Sequence, residues 1–553
     1  MTEIPAISAG RLLVDCLVAQ GCDRIFSVPG ESYLAVLDAL HDVPDIENVV
    51  CRHEGGAAFM ACADASLTGR PGVCFVTRGP GATNASIGVH VARQDSVPMV
   101  LFVGDVDRTM RDREAFQEVD LPALFAPLAK WTARINDSAR LPEYVARAWA
   151  TALSGRPGPV VLALPHDMLL EQVALRPRPE VIRPAQAACP DAVATMMRLL
   201  GDAAAPIAIV GGAGWNAKAR HYFTEFAERI GLPVAAAFRR QDAIANSSKV
   251  WAGTLGYGPN PKLAARVRDA DLVLVVGARL GEATSDGYHL IPPEHPFQTL
   301  IHVHPDPEEL GRVYHPDLAI CADVAEFAEL ASLVDDDIVP FDAGREAHRE
   351  WREWATPMRS EARLDLALCL SSLRDAVPED AIVCSGSGNF SSWWARYWTY
   401  EHFPTQLAPA AGAMGYGIPA AVAAARRFPE RCIMAVAGDG DFLMNGQELA
   451  TAAQYGCDML VLVIDNGSFG TIRMYQEHAY PGRVSGTTLA NPDFAALARA
   501  YGAWATTISE TAGFAPALAE AMQRKGLRLL HLKTDIEHLS ASGHTITRLR
   551  GRS

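Results

Sequence analysis

Short apolar runs alternate with longer helix-like segments along the chain. Runs of this kind stand at 72–77, 98–104, 206–212, 232–238, 271–277, 431–440 and 459–467. They are apolar throughout, which is typical of strands covered on both faces of a parallel sheet. The segments between them are long enough to form crossover helices. The pattern therefore predicts an α/β protein built from open, doubly wound parallel sheets.

Two stretches interrupt this alternation, one rich in proline at about 165–190 and one rich in charge at about 335–357. Both compositions are typical of segments between domains. A chain of 553 residues is also too long for one hydrophobic core. We therefore expect three open α/β domains, spanning 1–175, 190–335 and 358–553.

Composition excludes several classes of function. The formal net charge of −15 and the absence of a Lys/Arg-dense block argue against a nucleic-acid partner. The eleven cysteines form no CxxC pair, so neither a zinc site nor a disulfide framework is indicated, and a reducing, cytoplasmic compartment fits. We expect no signal peptide, because residues 1–10 lack a basic start and an apolar core. No apolar run reaches the roughly 18 residues of a membrane span.

The stretch 437–470 places polar residues after two successive apolar runs. Asp439, within GDGD, follows the apolar stretch 432–437, and Asn466, 27 positions later, follows the apolar stretch 459–464. If the two runs are neighbouring parallel strands joined by a crossover helix over 445–455, both side chains leave the same edge of the sheet. Asp439, Asn466 and a main-chain carbonyl at Ser468 would then offer three oxygen ligands to Mg²⁺. The adjoining glycines would let the main chain approach a phosphate.

This arrangement of strand, GDG, helix, strand and asparagine resembles the diphosphate-anchoring motif of thiamine diphosphate enzymes. The resemblance implies thiamine diphosphate and Mg²⁺ as cofactors, with pyrimidine-binding, central and diphosphate-binding domains in that order. Met414, in LAPAAGAMGYG, matches the bulky residue that keeps the cofactor bent in this family. The cofactor-binding residues implied in the last domain are Gly412, Met414, Gly438, Asp439, Gly440, Asp441, Asn466, Ser468, Phe469 and Gly470.

The first domain carries the matching half of the resemblance. CRHEGGAAFMA, at 51–61, resembles the family's glutamate motif, so Glu54 would share a proton with the cofactor's aminopyrimidine. RGPGATN at 78–84 resembles the glycine loop that faces the cofactor, EAFQE at 114–118 resembles a substrate-side loop, and Lys130 matches a lysine near the active-site channel. The implied cofactor contacts are Glu54, Pro29, Gly30, Gly79 and Asn84, and the further catalytic candidates, besides Met414, are Gln117, Glu31 and His90.

Within this family the chain most resembles the acetolactate synthase branch. The resemblance implies decarboxylation of a small 2-oxo acid and carboligation of the remaining fragment to a second carbonyl compound. In this family one cofactor is shared by the glutamate of one chain and the GDG segment of another. A homodimer is therefore the implied minimum, and a homotetramer is common. The sequence does not reveal whether a regulatory subunit exists.

Four positions depart from acetolactate synthases. Glu31 stands where those enzymes have a small residue, Arg78 replaces a small polar residue, and Tyr475 replaces a tryptophan that helps select the acceptor. GARLGE at 277–282 differs from the pattern near FAD, so FAD binding in the central domain stays open. A carboxylate at Glu31 favours the alternatives of a 2-oxo acid decarboxylase or an acyloin or 2-hydroxyacyl lyase. A non-catalytic, cofactor-binding relative is the third alternative.

Overall fold

The computed structural model describes residues 5–212, 214–294, 296–334 and 338–551. Within these ranges three six-stranded sheets, each parallel throughout, confirm the predicted α/β class. The chain forms two compact units. One comprises 1–184, 418–429 and 445–457, and the other comprises 185–417, 430–444 and 458–553. No helix in the described ranges is long and apolar enough to cross a lipid bilayer.

The first sheet has the strand order β3-β2-β4-β5-β7-β6, and a short antiparallel pair, β1 with β8, lies outside it. Phe75 and Phe102 stack on neighbouring strands in its core, with ring centroids 4.7 Å apart. The outside pair is β1 (Ile7–Ser8) with β8 (Gln172–Val173), and the strands of the sheet are β2 (Arg24–Ser27), β3 (Glu47–Val50), β4 (Gly72–Thr77), β5 (Met99–Asp105), β6 (Trp131–Arg134) and β7 (Pro159–Pro165). Its helices are α1 (Ala9–Ala19), α2 (Leu34–His41), α3 (Glu54–Thr68), α4 (Arg78–Asp95), α5 (Leu121–Phe125), α6 (Leu141–Leu153) and α7 (His166–Leu169).

The second sheet has the order β11-β10-β9-β12-β13-β14. Its strands are β9 (Pro206–Val210), β10 (Val234–Ala236), β11 (Trp251–Thr254), β12 (Leu272–Val276), β13 (Thr299–His304) and β14 (Leu318–Cys321). Its helices are α8 (Pro190–Asp202), α9 (Ala217–Ile230), α10 (Pro261–Asp269), α11 (Val324–Leu333) and α12 (Ala343–Ala355).

The two predicted linkers differ in structure. Residues 174–189 contain neither helix nor strand. The charged stretch at 335–357 instead contains α12, whose Glu350 accepts a 2.9 Å hydrogen bond from Arg266. Its charges therefore lie on a packed helix, while residues 335–337 lie outside the described ranges.

The sequence GGAG at 211–214, which follows an apolar run as in nucleotide-binding domains, has a packing role in the second sheet. Gly212 has a φ of +70°, and a Cβ there would lie 2.2 Å from the carbonyl oxygen of Gly277. The close approach of the chain after β9 to the chain after β12 therefore requires glycine whether or not a nucleotide binds. Ala213 lies outside the described ranges.

The third sheet has the order β16-β15-β17-β18-β20-β19. Its strands are β15 (Ile382–Ser385), β16 (Gln406–Leu407), β17 (Ile433–Gly438), β18 (Met459–Asp465), β19 (Trp504–Ile508) and β20 (Leu527–Lys533). The remaining helices are α13 (Leu366–Ala376), α14 (Ser391–Tyr397), α15 (Gly417–Arg427), α16 (Asp439–Asn445), α17 (Leu449–Gln454), α18 (Gly470–Ala479), α19 (Phe494–Ala500), α20 (Thr511–Met522) and α21 (Ile546–Arg550).

β17 and β18 are parallel neighbours with Gly438 opposite Ile464, as the spacing of the two apolar runs predicts. The predicted crossover helix over 445–455 begins six residues earlier, because β17 leads directly into α16. Asn445, with a φ of −140°, ends α16, and a 3₁₀ turn at Gly446–Glu448 leads into α17. The GDGD segment is therefore the end of a strand and the first turn of a helix.

The C-terminal tail begins at about residue 535, and its sequence is compatible with either a lid over the site or a frayed end. In the structure its helix α21 packs on α18 through the buried carboxylate of Glu477. Glu477, 1% exposed, accepts hydrogen bonds from Arg550 at 2.8 Å, Arg473 at 2.9 Å and the main-chain N–H of Gly482 at 2.9 Å. The guanidinium of Arg550, more than any other group, lowers the pKa of Glu477 to about 2. This ion pair fixes α21 against α18.

We expect Glu477→Gln to release the tail. Hydrogen bonds to charged groups contribute ~1.5–3 kcal/mol, so the fraction of molecules with an open tail should rise about tenfold or more. The measurement is the initial rate of trypsin cleavage at Arg548 and Arg550, because cleavage follows the open population.

The control is Glu510→Gln, which removes a surface carboxylate paired with Arg363 in the same domain. Because the folded pKa of Glu477 is depressed, its contribution is present at neutral pH and is lost as the pH falls from 4.5 towards 2. The difference in tail stability between wild type and Glu477→Gln should therefore shrink over that range. Equal cleavage of wild type and Glu477→Gln at neutral pH would contradict this role.

Candidate active site

Asp439 and Asn466 meet at the carboxyl edge of the third sheet. Asp439, 3% exposed, opens α16, and Asn466 follows the end of β18. The main-chain N–H of Ser468 donates to both side chains, at 3.2 Å to Asp439 Oδ2 and at 3.0 Å to Asn466 Oδ1. The Ser468 hydroxyl donates to the Thr487 carbonyl at 2.7 Å, so its main-chain carbonyl is the better candidate ligand. The two predicted metal-ligating side chains are therefore adjacent.

Asn491 belongs to this site, although sequence reasoning missed it. Its Nδ2 donates to Asp439 Oδ2 at 2.7 Å and to Asp465 Oδ1 at 2.8 Å, so one amide separates two carboxylates. Asp465 also accepts from His531 Nε2 at 2.9 Å and from the main-chain N–H of Gly467 at 3.0 Å. Asn491 stands in a loop far along the chain from Asp439, and no motif in the sequence marks it.

The two carboxylates differ in proton affinity. Burial raises the pKa of Asp439 to about 6, and the nearby charge of Asp465 acts in the same direction. Burial also acts on Asp465, but the hydrogen bonds from His531 and Asn491 outweigh it and lower the pKa of that carboxyl below its usual value. The bond from His531, for which Asp439 has no counterpart among the described residues, explains the opposite shifts.

Asp441 ties together three segments of the third domain. Its Oδ1 accepts main-chain hydrogen bonds from Ser387 at 3.0 Å and Gly415 at 2.8 Å. Among the described residues its Oδ2 has no hydrogen-bond partner, and burial raises the pKa of this carboxyl to about 7. Half-buried Met414 directly precedes the bonded Gly415, and Gly412 and Gly415 both have positive φ. Asp441 thus fixes the loop that carries Met414, the bulky residue predicted to keep the cofactor bent.

The glycines of this region are also required by packing. A Cβ at Gly440 would lie 2.5 Å from the ring of Phe469, and one at Gly438 would lie 3.0 Å from the ring of Phe390. A Cβ at Gly470 would lie 2.8 Å from the side-chain amide of Asn466. Side chains at these positions would therefore displace the rings of Phe469 and Phe390 or the side chain of the predicted ligand Asn466.

In the first domain, Glu54 and Asn84 form a pair. Glu54 is the first residue of α3 and is half-buried, and its Oε2 accepts a 2.9 Å hydrogen bond from Asn84 on α4. His53 caps α3, since its Nδ1 accepts from the N–H of Gly55 at 3.0 Å. The structure thus brings together the two residues that the glutamate motif and the glycine loop predict, and it gives His53 a structural role.

Glu448 fixes the main chain that leads into Glu54. It is 0% exposed and accepts the main-chain N–H of Arg52 at 3.1 Å and that of His53 at 2.9 Å. A Cβ at Gly56 would lie 2.5 Å from Glu448 Oε1, so glycine lets α3 approach the carboxylate. Burial raises the pKa of Glu448. Sequence reasoning placed Glu448 within a crossover helix, where a glutamate is ordinary and gives no signal.

The remaining candidates of the first domain lie around the carboxyl ends of β2 and β4. Pro29 is exposed, and a Cβ at Gly30 would lie 2.3 Å from the side chain of Thr77. The N–H of Gly79 donates to the carbonyl of Gln117 at 3.0 Å, and Gln117 has a φ of +63°. The substrate-side loop predicted at 114–118 is therefore held against the start of α4.

Glu31 and Arg78, predicted as independent departures, form an ion pair. Glu31 Oε1 lies 3.6 Å from Arg78 Nη1. His90 is exposed on α4, six residues beyond Asn84. Lys130, which the sequence places near the active-site channel, lies at the opposite end of the sheet from these candidates. It precedes β6, at the amino end of that strand, and its Nζ donates to the carbonyls of Thr151 and Ser154, both at 2.6 Å.

We expect Glu448→Ala to free the main chain before Glu54. Two main-chain N–H groups would lose their charged acceptor, at a cost of ~3 kcal/mol. Hydrogen exchange of the Arg52 and His53 amides, followed by mass spectrometry of the peptide spanning 50–56, should become about 100-fold faster.

The control is Gln454→Ala, which removes an exposed acceptor for the side chain of Arg52 from the same segment. It should leave the exchange of these two amides as in wild type. Unchanged exchange in Glu448→Ala would show that Glu448 does not hold this segment.

Comparison with known proteins gives matches over most of the chain. Family models of the thiamine pyrophosphate enzymes match residues 7–124 (N-terminal TPP binding domain), 193–330 (central domain) and 386–532 (C-terminal TPP binding domain). The acetolactate synthase large subunit of Parasynechococcus marenigrum is 33% identical over 94% of this chain and 86% of its own length. The acetolactate synthase isozyme 2 large subunit of Escherichia coli is 31% identical over 96% of each chain.

Proposed function

Because the chain belongs to the thiamine pyrophosphate enzymes, we propose that it decarboxylates a 2-oxo acid and joins the remaining fragment to a second carbonyl compound, as an acetolactate synthase-like carboligase. The observation that carries this proposal is the pairing of predicted residues in both cofactor-binding domains. Glu54 is bonded to Asn84, and Asp439 and Asn466 share the N–H of Ser468. A non-catalytic relative would have no use for both.

The donor set at the end of β17 and β18 suits a magnesium-bound diphosphate. We assign Asp439, Asn466 and the Ser468 carbonyl as ligands of Mg²⁺, which prefers oxygen ligands and is completed by phosphate and water. Asp439 is buried and already held by two N–H donors, so its geometry is set before a cation arrives. The surrounding glycines, with Phe469, would hold the diphosphate.

Thiamine diphosphate, when bound, supplies the carbon nucleophile for the keto group and the electron sink for loss of carbon dioxide. We assign to Glu54 the transfer of a proton at N1′ of the aminopyrimidine. Asn84 orients this carboxyl, Glu448 fixes the chain that precedes it, and Met414 supports the bent cofactor. Gln117 and His90 remain candidates for substrate contact.

We propose the domain limits 1–175 for pyrimidine binding, 190–335 for the central domain and 358–553 for diphosphate binding. The family resemblance implies that two chains complete one site, so we propose a homodimer, or a homotetramer built from dimers, acting in the cytoplasm. Binding of FAD would make the purified protein yellow, and a regulatory subunit would co-purify with the chain.

We expect product formation from pyruvate to need both added thiamine diphosphate and Mg²⁺. Chelation with EDTA should abolish turnover, and excess Mg²⁺ should restore it, because the assigned ligands are all oxygens. The measurement is carbon dioxide release together with product identity by mass spectrometry, with 2-acetolactate expected in excess of acetaldehyde.

Other 2-oxo acids serve as donors in parallel with pyruvate. A predominance of free aldehyde would support the decarboxylase alternative, which the exposed carboxylate of Glu31 favours, and Glu31→Ala should then reduce aldehyde release. The proposal fails if no 2-oxo acid is decarboxylated by protein that has bound the cofactor.

We expect Glu54→Gln to remove cofactor activation while the fold is retained. General acid–base catalysis contributes about 10²- to 10⁴-fold, so deuterium exchange at C2 of the bound thiazolium should slow at least 100-fold. NMR of the quenched cofactor measures this step without any substrate.

Glu143→Gln is the matched control, because it neutralises a surface glutamate of the same domain that is paired with Arg140. It should exchange at the wild-type rate. A wild-type exchange rate in Glu54→Gln would remove Glu54 from the mechanism.

A further inference from the structure

Two charged side chains that follow β4 and β2, Arg78 and Glu31, have no role in the proposed carboligation. Arg78 opens α4 directly after β4, and Glu31 opens a 3₁₀ turn just after β2. β2 and β4 are paired parallel strands, so both side chains lie at the same carboxyl edge of the sheet. Ligands of open α/β sheets bind beyond this edge.

Arg78 is held in a strained position. Its φ is +39°, which non-glycine residues rarely adopt and which costs on the order of the energy of a hydrogen bond. Its Nη1 donates to the carbonyl of Phe116 at 3.3 Å, and the next residue, Gly79, donates to the carbonyl of Gln117 at 3.0 Å. The loop after β5 and the start of α4 thus fix one another and aim the guanidinium.

The guanidinium is poorly neutralised. The Arg78 side chain is 16% exposed and that of Glu31 is 58% exposed, and their 3.6 Å separation exceeds a normal N–H···O hydrogen bond. Among the described residues, Nε of Arg78 is buried and has no hydrogen-bond partner. A desolvated guanidinium with an unused donor and a solvated counterion suits an incoming carboxylate, which its planar fork binds at two points.

We propose that Arg78 binds the carboxylate of an anionic acceptor, a second 2-oxo acid, and that Glu31 is the counterion this acceptor displaces. The inference rests on the proposed carboligation. A donor carboxylate leaves as neutral carbon dioxide, so a cation bound to it would stabilise the state before bond cleavage and slow that step. The acceptor keeps its carboxylate while the new bond forms at its keto carbon, so the same contact persists to the product.

The two partners predict shifts of opposite sign. Arg78→Gln should raise the KM for 2-oxobutyrate as acceptor about tenfold or more, relative to the KM for propanal, the same acceptor without a carboxylate. Glu31→Gln removes the competing anion and should lower this ratio. Carbon-13-labelled pyruvate as donor identifies the cross-product by mass. If the ion pair were purely structural, the two variants would change this KM ratio in the same direction or leave it unchanged. Either result would overturn the proposal.

Arg113→Gln is the matched control, because it removes an exposed arginine from the loop after β5. An equal effect of Arg113→Gln would assign the result to general electrostatics and overturn the proposal.

Titration calorimetry with unreactive 2-hydroxybutyrate supplies a test without turnover. Binding to wild type with loss in Arg78→Gln supports the anion site even if the proposed reaction fails. Equal binding to both proteins, or to neither, overturns it.

Discussion

Burial of carboxylates is the constraint on which the geometry of this protein depends. Asp439, Asp441 and Glu448 are almost inaccessible to water, and a buried carboxylate without donors is unstable. Each is supplied with main-chain N–H groups, from Ser468, from Ser387 and Gly415, and from Arg52 and His53 respectively. These bonds join segments far apart in the sequence. The loops that carry the candidate ligands are therefore fixed by the same interactions that make burial tolerable.

The alternation of apolar runs predicted the fold class and the adjacency of β17 and β18, because period and length are local properties. Adjacency of those strands was enough to bring Asp439 and Asn466 to one edge. The start of α16 was predicted too late, because β17 continues directly into a helix at Asp439. Asn491 and Glu448 were not predicted at all. Their roles depend on which carboxylates or main-chain groups lie opposite them, and no local pattern contains that information.

The departures from the acetolactate synthase pattern show the same limit. In the sequence, Glu31 and Arg78 are two separate departures that stand 47 positions apart. In the structure they form one pair, and a single electrostatic explanation serves both. Lys130 shows the reverse, because its sequence context matched an active-site lysine but its ammonium group binds carbonyls near the end of α6. A motif fixes where a residue stands along the chain, while the direction of its side chain depends on neighbours from other segments.

The hydrogen bonds around Asn466 also bear on how this protein ages. Asn466 is followed by Gly467, and an asparagine before glycine loses its amide readily when the glycine nitrogen is free to attack the side-chain carbonyl carbon. Here that nitrogen donates its hydrogen to Asp465, and the oxygen of the Asn466 amide accepts from Ser468. Cyclisation would have to break both bonds. The network that positions a candidate metal ligand therefore also protects it from spontaneous deamidation, and the folded protein should keep its amide far longer than the unfolded chain would.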